Sequence, residues 1–263
     1  MMSNTLDSTF NSAKKAPIKV SPTSAATFWG VTLLSVFLSH SPWLTWLFAP
    51  VNLFTTAVHE MGHALVCVAT GGSVSGLTIV SDGSGHGGLT FCLGGMPFFY
   101  TQAGYLGAAF FGCILIYLSQ FPKVSKVLLG SLGLAMGFAT LFFVPGALWV
   151  PGHFLQGLGS LVCAALMSAA LLWSSIKLKP ATANLVVLFL AVQTALNSLT
   201  LIGDLVSISL GWAGYGGFSD ATNMTSLTGI PAAFWSICWG LISLAMVAFT
   251  LWGTYGKRLI PAK

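Results

Sequence analysis

Seven apolar runs, each close to the length a helix needs to cross a bilayer, alternate along this chain with short polar connections. They cover roughly residues 25–40, 50–70, 98–119, 124–145, 152–175, 182–207 and 231–254. A hydrocarbon core of about 30 Å takes about 20 helical residues. No water there satisfies a bare N–H or C=O, so a spanning segment must close its own backbone hydrogen bonds. Pro42, Pro50, Pro97, Pro122, Pro145, Pro151, Pro180 and Pro231 fall at or near the proposed ends, where a missing N–H costs least. Only 6% of the residues are charged, against about 25% in a soluble domain. The expected fold is an all-α polytopic membrane protein of about seven transmembrane helices, six if the short first run does not cross.

Residues 1–24 are polar and Ser/Thr/Pro-rich, and are expected to form a disordered tail. Residues 25–255 are expected to form one transmembrane domain, and 256–263 a short basic tail. The basic residues are peripheral: Lys14, Lys15 and Lys19, then Lys123 and Lys126, then Lys177 and Lys179, then Lys257, Arg258 and Lys263. Such clusters orient a membrane protein. With seven spans the first cluster falls opposite the other three; with six, all four share a side. No basic run is interleaved with aromatics, so nucleic acid is excluded as a partner, and the lipid bilayer is the expected surroundings. The cysteines Cys67, Cys92, Cys113, Cys163 and Cys238 are scattered, with no C-x-x-C. They are expected to be buried thiols, not a disulfide framework.

One connection differs from the rest. Val74–Val80 alternates and favours strand, Asp82 to Gly88 is a cluster of turn formers, and Leu89–Leu93 favours strand again. This predicts a short β-hairpin between the second and third helices. At membrane depth it must be covered by protein or line a wet cavity.

The second apolar run contains His59-Glu60-Met61-Gly62-His63. On a helix, residues four apart lie on one face, so the two imidazoles can share one zinc ion. The glutamate between them can act as general base toward a metal-bound water. Ionisable groups near mid-bilayer cost roughly 2.5–3.5 kcal/mol each on insertion scales, and nothing structural requires three in one turn. Gly62 removes bulk beside the histidines. A catalytic zinc site needs a third protein ligand and an open position. The chain has only five carboxylates, Asp7, Glu60, Asp82, Asp204 and Asp220. Asp204, near the end of the sixth run, matches His63 in depth and is the first choice. Asp220, in Phe218-Ser219-Asp220-Ala221, is the alternative, as third ligand or behind the ligands. Its Ser-Asp context also reads as a helix N-cap. Cys67, one turn beyond His63, is better explained as a buried thiol; His40, His86 and His153 as polar residues at ends and turns; Asp82 by turn chemistry.

Several segments together resemble a known family. They are Thr55-Thr56-Ala57-Val58-His59-Glu60-Met61-Gly62-His63-Ala64-Leu65, Thr70-Gly71-Gly72, Gly87-Gly88-Leu89-Thr90 with Gly94-Gly95, and Ala103-Gly104-Tyr105-Leu106-Gly107. Asn197-Ser198-Leu199 with Asp204, and Ser219-Asp220-Ala221, follow in order. This pattern resembles the peptidase M50B-like family, relatives of the site-2 proteases. The resemblance implies an intramembrane zinc metalloprotease with His59 and His63 as ligands and Glu60 as base. It implies Asp204 as third ligand and Asn197 as a group that orients substrate backbone or oxyanion. Leu205 follows Asp204 where the family pattern has Gly, so Asp220 stays a candidate. The hairpin resembles the element that could hold an unwound substrate by strand addition. The expected partners are transmembrane protein substrates. The rival expectation is a non-proteolytic relative that binds client helices and retains the metal site.

Overall fold

The computed structural model describes residues 22–39, 45–80, 87–211 and 219–256. Seven long helices follow the seven apolar runs. They are α1 (Pro22–Ser39), α2 (Thr45–Ala69), α3 (Pro97–Leu118), α4 (Ser125–Phe142), α5 (Phe154–Lys177), α6 (Pro180–Ser209) and α8 (Ala232–Thr254). A short helix, α7 (Asp220–Thr228), precedes α8. Five spans are long and apolar enough to cross a membrane: Pro97–Leu118, Pro122–Trp149, Phe154–Lys177, Pro180–Ser209 and Ala232–Thr254. The expected count of about seven goes beyond these five. The apolar part of α1, Ala26–Phe37, is shorter, and α2 is 25 residues long but carries the polar motif. The N-terminal tail, His40, Asp82, His86 and the C-terminal basic residues lie outside the described residues.

Small residues let the helices approach. A Cβ on Gly62 of α2 would stand 3.1 Å from the Ala103 carbonyl carbon of α3 and closer still to its oxygen. On α3, a Cβ on Gly112 would stand 3.0 Å from Ala195 N of α6. Gly133 of α4 faces Leu172 of α5 in the same way, and Ser168 Oγ donates to Gly133 O at 2.8 Å. Backbones this close gain dispersion contacts, the main source of helix association where lipid is as apolar as the side chains. One buried cluster joins α2, the hairpin, α4, α5 and α6 around Phe54, Leu77, Ile79 and Leu129. Another joins α6, α7 and α8 around Ile202, Leu205, Met224 and Trp239, with Tyr105 and Leu106 of α3 against it.

The predicted hairpin is present. Strand β1 (Ser73–Thr78) pairs antiparallel with β2 (Leu89–Leu93), with Thr78 opposite Leu89 and a register shift between Val74 and Gly76. Its first edge is covered. Gly76 lies against the backbone of Gly146 and Ala147. Just beyond β1, Ile79 N and Val80 N both donate to Ser160 Oγ of α5, at 2.7 and 3.2 Å. One expectation is corrected. Cys67, at the end of α2, and Cys92, in β2, form a disulfide, because strand pairing brings β2 back alongside α2. Cys113, Cys163 and Cys238 are free.

Candidate metal centre

Helix α2 places His59 and His63 one turn apart, with their Nε2 atoms 3.1 Å from each other. The second imidazole is fixed from behind: His63 Nδ1 is 2.6 Å from Tyr100 O, in the first turn of α3. A carbonyl only accepts, so this contact puts the ring proton on Nδ1 and leaves a lone pair on Nε2. The His59 ring is held edge-on by Tyr105, with centroids 4.6 Å apart at 89°. Tyr105 in turn stacks on the fully buried Trp239 of α8, 5.5 Å away at 18°. Trp239 Nε1 donates to Gln102 Oε1 at 3.1 Å. Three helices thus set the direction of one imidazole.

The carboxylate that meets the two rings belongs to Asp220. Its Oδ2 lies 3.4 Å from His59 Nε2 and 3.2 Å from His63 Nε2. The sequence explains its position. Ser219 is the N-cap of α7, in a capping box with Thr222. That box satisfies the first amides of the helix and releases the Asp220 carboxylate from capping.

Three ligand atoms separated by 3.1, 3.2 and 3.4 Å suit a small tetrahedral cation. Bonds of about 2.0–2.1 Å give tetrahedral edges of about 3.3 Å. The space for such an ion comes from Gly104 of α3. A Cβ there would stand 2.5 Å from His59 Nε2 and 2.6 Å from His63 Cε1, and closer still to His63 Nε2. Among the described residues, this trio is the group of His, Cys, Asp and Glu side chains able to hold a metal.

Glu60 is 5% exposed and faces the hairpin. Thr90 Oγ1 of β2 donates to its Oε2 at 2.7 Å and also lies 3.0 Å from its backbone oxygen. Gly88 allows this approach, since a Cβ there would stand 3.0 Å from Glu60 Cγ. The hairpin therefore sets the rotamer of the motif's glutamate.

Asp204 belongs to α6, and its side chain lies outside the described residues. Its neighbours Ile202 and Leu205 pack with Tyr105 and Leu106, so this turn is level with Gly104. Asn197 is half-buried on α6, seven residues or about 10 Å before Asp204 along the helix axis. Cys67 is held in the disulfide and is no metal ligand. His153 stands at the start of α5 against Phe91, with centroids 5.0 Å apart, and does not belong to the trio. Sequence reasoning assigned no individual role to Thr90, Gly104, Tyr105 or the Tyr100 carbonyl. Alternation in the second strand was the one available signal for Thr90.

Comparison with known proteins adds one finding. The family model described as Peptidase M50B-like matches residues 28–250, most of the chain and all of the candidate centre. No curated protein and no solved structure matches the chain.

Proposed function

Because this chain belongs to the Peptidase M50B-like family, we propose that it is an intramembrane zinc metallopeptidase hydrolysing peptide bonds in or beside membrane-spanning segments. The observation that carries the reading is the triangle of His59 Nε2, His63 Nε2 and Asp220 Oδ2 over the side-chain-free Gly104. In this reading His59, His63 and Asp220 hold the ion, and Asp220 takes the position that sequence reasoning first gave to Asp204. Zinc bound there would polarise a scissile carbonyl and lower the pKa of its water to about 7.

The chain's own residues do the rest. Glu60 accepts the proton of the attacking water and passes it to the leaving amine. Thr90 occupies Glu60 Oε2, so Oε1 is the oxygen free to receive that proton. The Nδ1 contact of His63 with Tyr100 O keeps its Nε2 available as a ligand throughout. Asn197, about 10 Å along α6 from the level of the ion, is assigned to hold substrate backbone at a distance from the reacting carbonyl. The second edge of β2 pairs with no strand among the described residues. An unwound client segment can add to it, since main-chain hydrogen bonds replace those its own helix gives up.

The test is cleavage of a membrane-embedded peptide by the full chain in lipid vesicles, with zinc measured on the same sample. Cleavage is expected to stop with chelator and return with zinc. Asp220→Ala is expected to lose zinc and Asp204→Ala to retain it. Zinc retained by Asp220→Ala but lost by Asp204→Ala would overturn the ligand set. A protein that binds zinc and the peptide but never cuts it would leave the client-binding alternative standing.

A further inference from the structure

The two ends of the bundle differ in chemistry. Taken as consecutive membrane crossings, the five apolar spans alternate in direction, which sorts the connections between two ends. One end gathers the hairpin, the start of α3, the segment Val144–Trp149, the start of α5, the end of α6 and α7. The connections there, residues 70–96, 143–153 and 210–231, contain no Lys or Arg. The other end holds Lys123 and Lys126 after α3 and Lys177 and Lys179 at the α5–α6 junction. The sequence leaves α8 at that end into Lys257, Arg258 and Lys263. Seven of the 10 basic residues thus belong to one end, and the other three precede α1. Short connections rich in Lys and Arg remain cytosolic.

The disulfide points the same way through unrelated chemistry. Cys67 and Cys92 both lie at the lysine-free end. Thiol pools keep cytosolic cysteines reduced, whereas disulfides persist in oxidising compartments. The bond also has a place in the site. Cys67 is one turn beyond His63, and Cys92 is two residues beyond Thr90, which holds Glu60. The clasp therefore joins the helix carrying the imidazoles to the strand carrying the glutamate's partner.

We propose that the chain lies in its membrane with the hairpin, the Cys67–Cys92 clasp and the His59–His63–Asp220 centre toward the oxidising, non-cytosolic side. His63 is six residues from the end of α2 and Gly104 seven from the start of α3, about 9–10 Å along each axis. That depth falls short of the midplane of a ~30 Å core. Clients are then membrane segments presented from the oxidising side. Only this consequence rests on the hydrolytic reading; the orientation does not.

Sealed microsomes bearing the full chain test the orientation, since their outer face is cytosolic and their lumen oxidising. A membrane-impermeant amine reagent is expected to modify the exposed Lys123, Lys177 and Lys179 of the unaltered protein without detergent. An impermeant maleimide is expected to modify Ser226→Cys, exposed on α7, only after permeabilisation. Under denaturing conditions with thiols blocked first, reduction is expected to release two further thiols in the unaltered protein and none in Cys92→Ser. The reverse pattern of protection, or five thiols reactive before reduction, would overturn the proposal. None of these readouts uses zinc or cleavage, so an inactive protein would refute the hydrolytic reading and leave the orientation intact.

Discussion

A methyl group on residue 104 would stand 2.5 Å from His59 Nε2 and closer still to His63 Nε2, against the two imidazole ligand atoms. Gly104→Ala is therefore expected to abolish zinc binding, with metal content falling to background by emission spectrometry. Gly107→Ala is the control, because a Cβ there meets only Gly62 Cα at an ordinary 3.6 Å. Glu60→Gln tests the base: cleavage is expected to fall about 10²–10⁴-fold with zinc retained, and unchanged cleavage would refute its role. Thr90→Ala removes a hydrogen bond to a carboxylate, an interaction of about 1.5–3 kcal/mol. A drop of about tenfold or more in turnover is expected, with Thr90→Ser restoring most of it. His59, Glu60 and His63 were legible in the sequence because helical periodicity alone puts the two imidazoles on one face. Asp220 was visible but ranked below Asp204. Its 157 residues of separation from His63 carry no periodic signal, and the Ser219–Asp220 pair looks like a cap.

At the scale of elements, the long helices were readable from apolar runs bounded by proline, and the hairpin from alternation around a turn cluster. Helix α7 was not. Its nine residues, DATNMTSLT, are polar on most faces, and it had been read as a connection leading into the last helix. The Ser219-Asp220 cap signal does mark a helix start, but the helix is α7 and not the last one. The disulfide was missed because Cys67 and Cys92, 25 residues apart, meet only once β2 folds back along α2. Cys92→Ser is expected to destabilise the domain by about 3.5 kcal/mol, from the chain entropy of a loop this size, measured by denaturant titration in detergent. Ser160→Ala leaves a buried amide, Ile79 N, and a part-buried one, Val80 N, without their acceptor. A loss of about 2 kcal/mol is expected in the same titration.

For the whole molecule, the candidate centre joins segments that are distant in the chain. Two ligands come from α2, one from α7, and the cavity from α3. A cation that binds only the folded arrangement stabilises it by mass action. Chelation is expected to lower the thermal midpoint of the native chain and to leave Asp220→Ala unchanged; equal shifts in both would sink the assignment. Composition and apolar periodicity by themselves determined a helical membrane protein, the helix that carries the motif, and the hairpin beside it. These are consequences of short-range geometry and of a solvent that cannot satisfy backbone polar groups. Tertiary structure alone decided which carboxylate meets the imidazoles, which glycine makes room between them, and which cysteines pair. Each of those depends on how helices cross, and a crossing depends on side chains that are far apart in the chain and leave no local pattern.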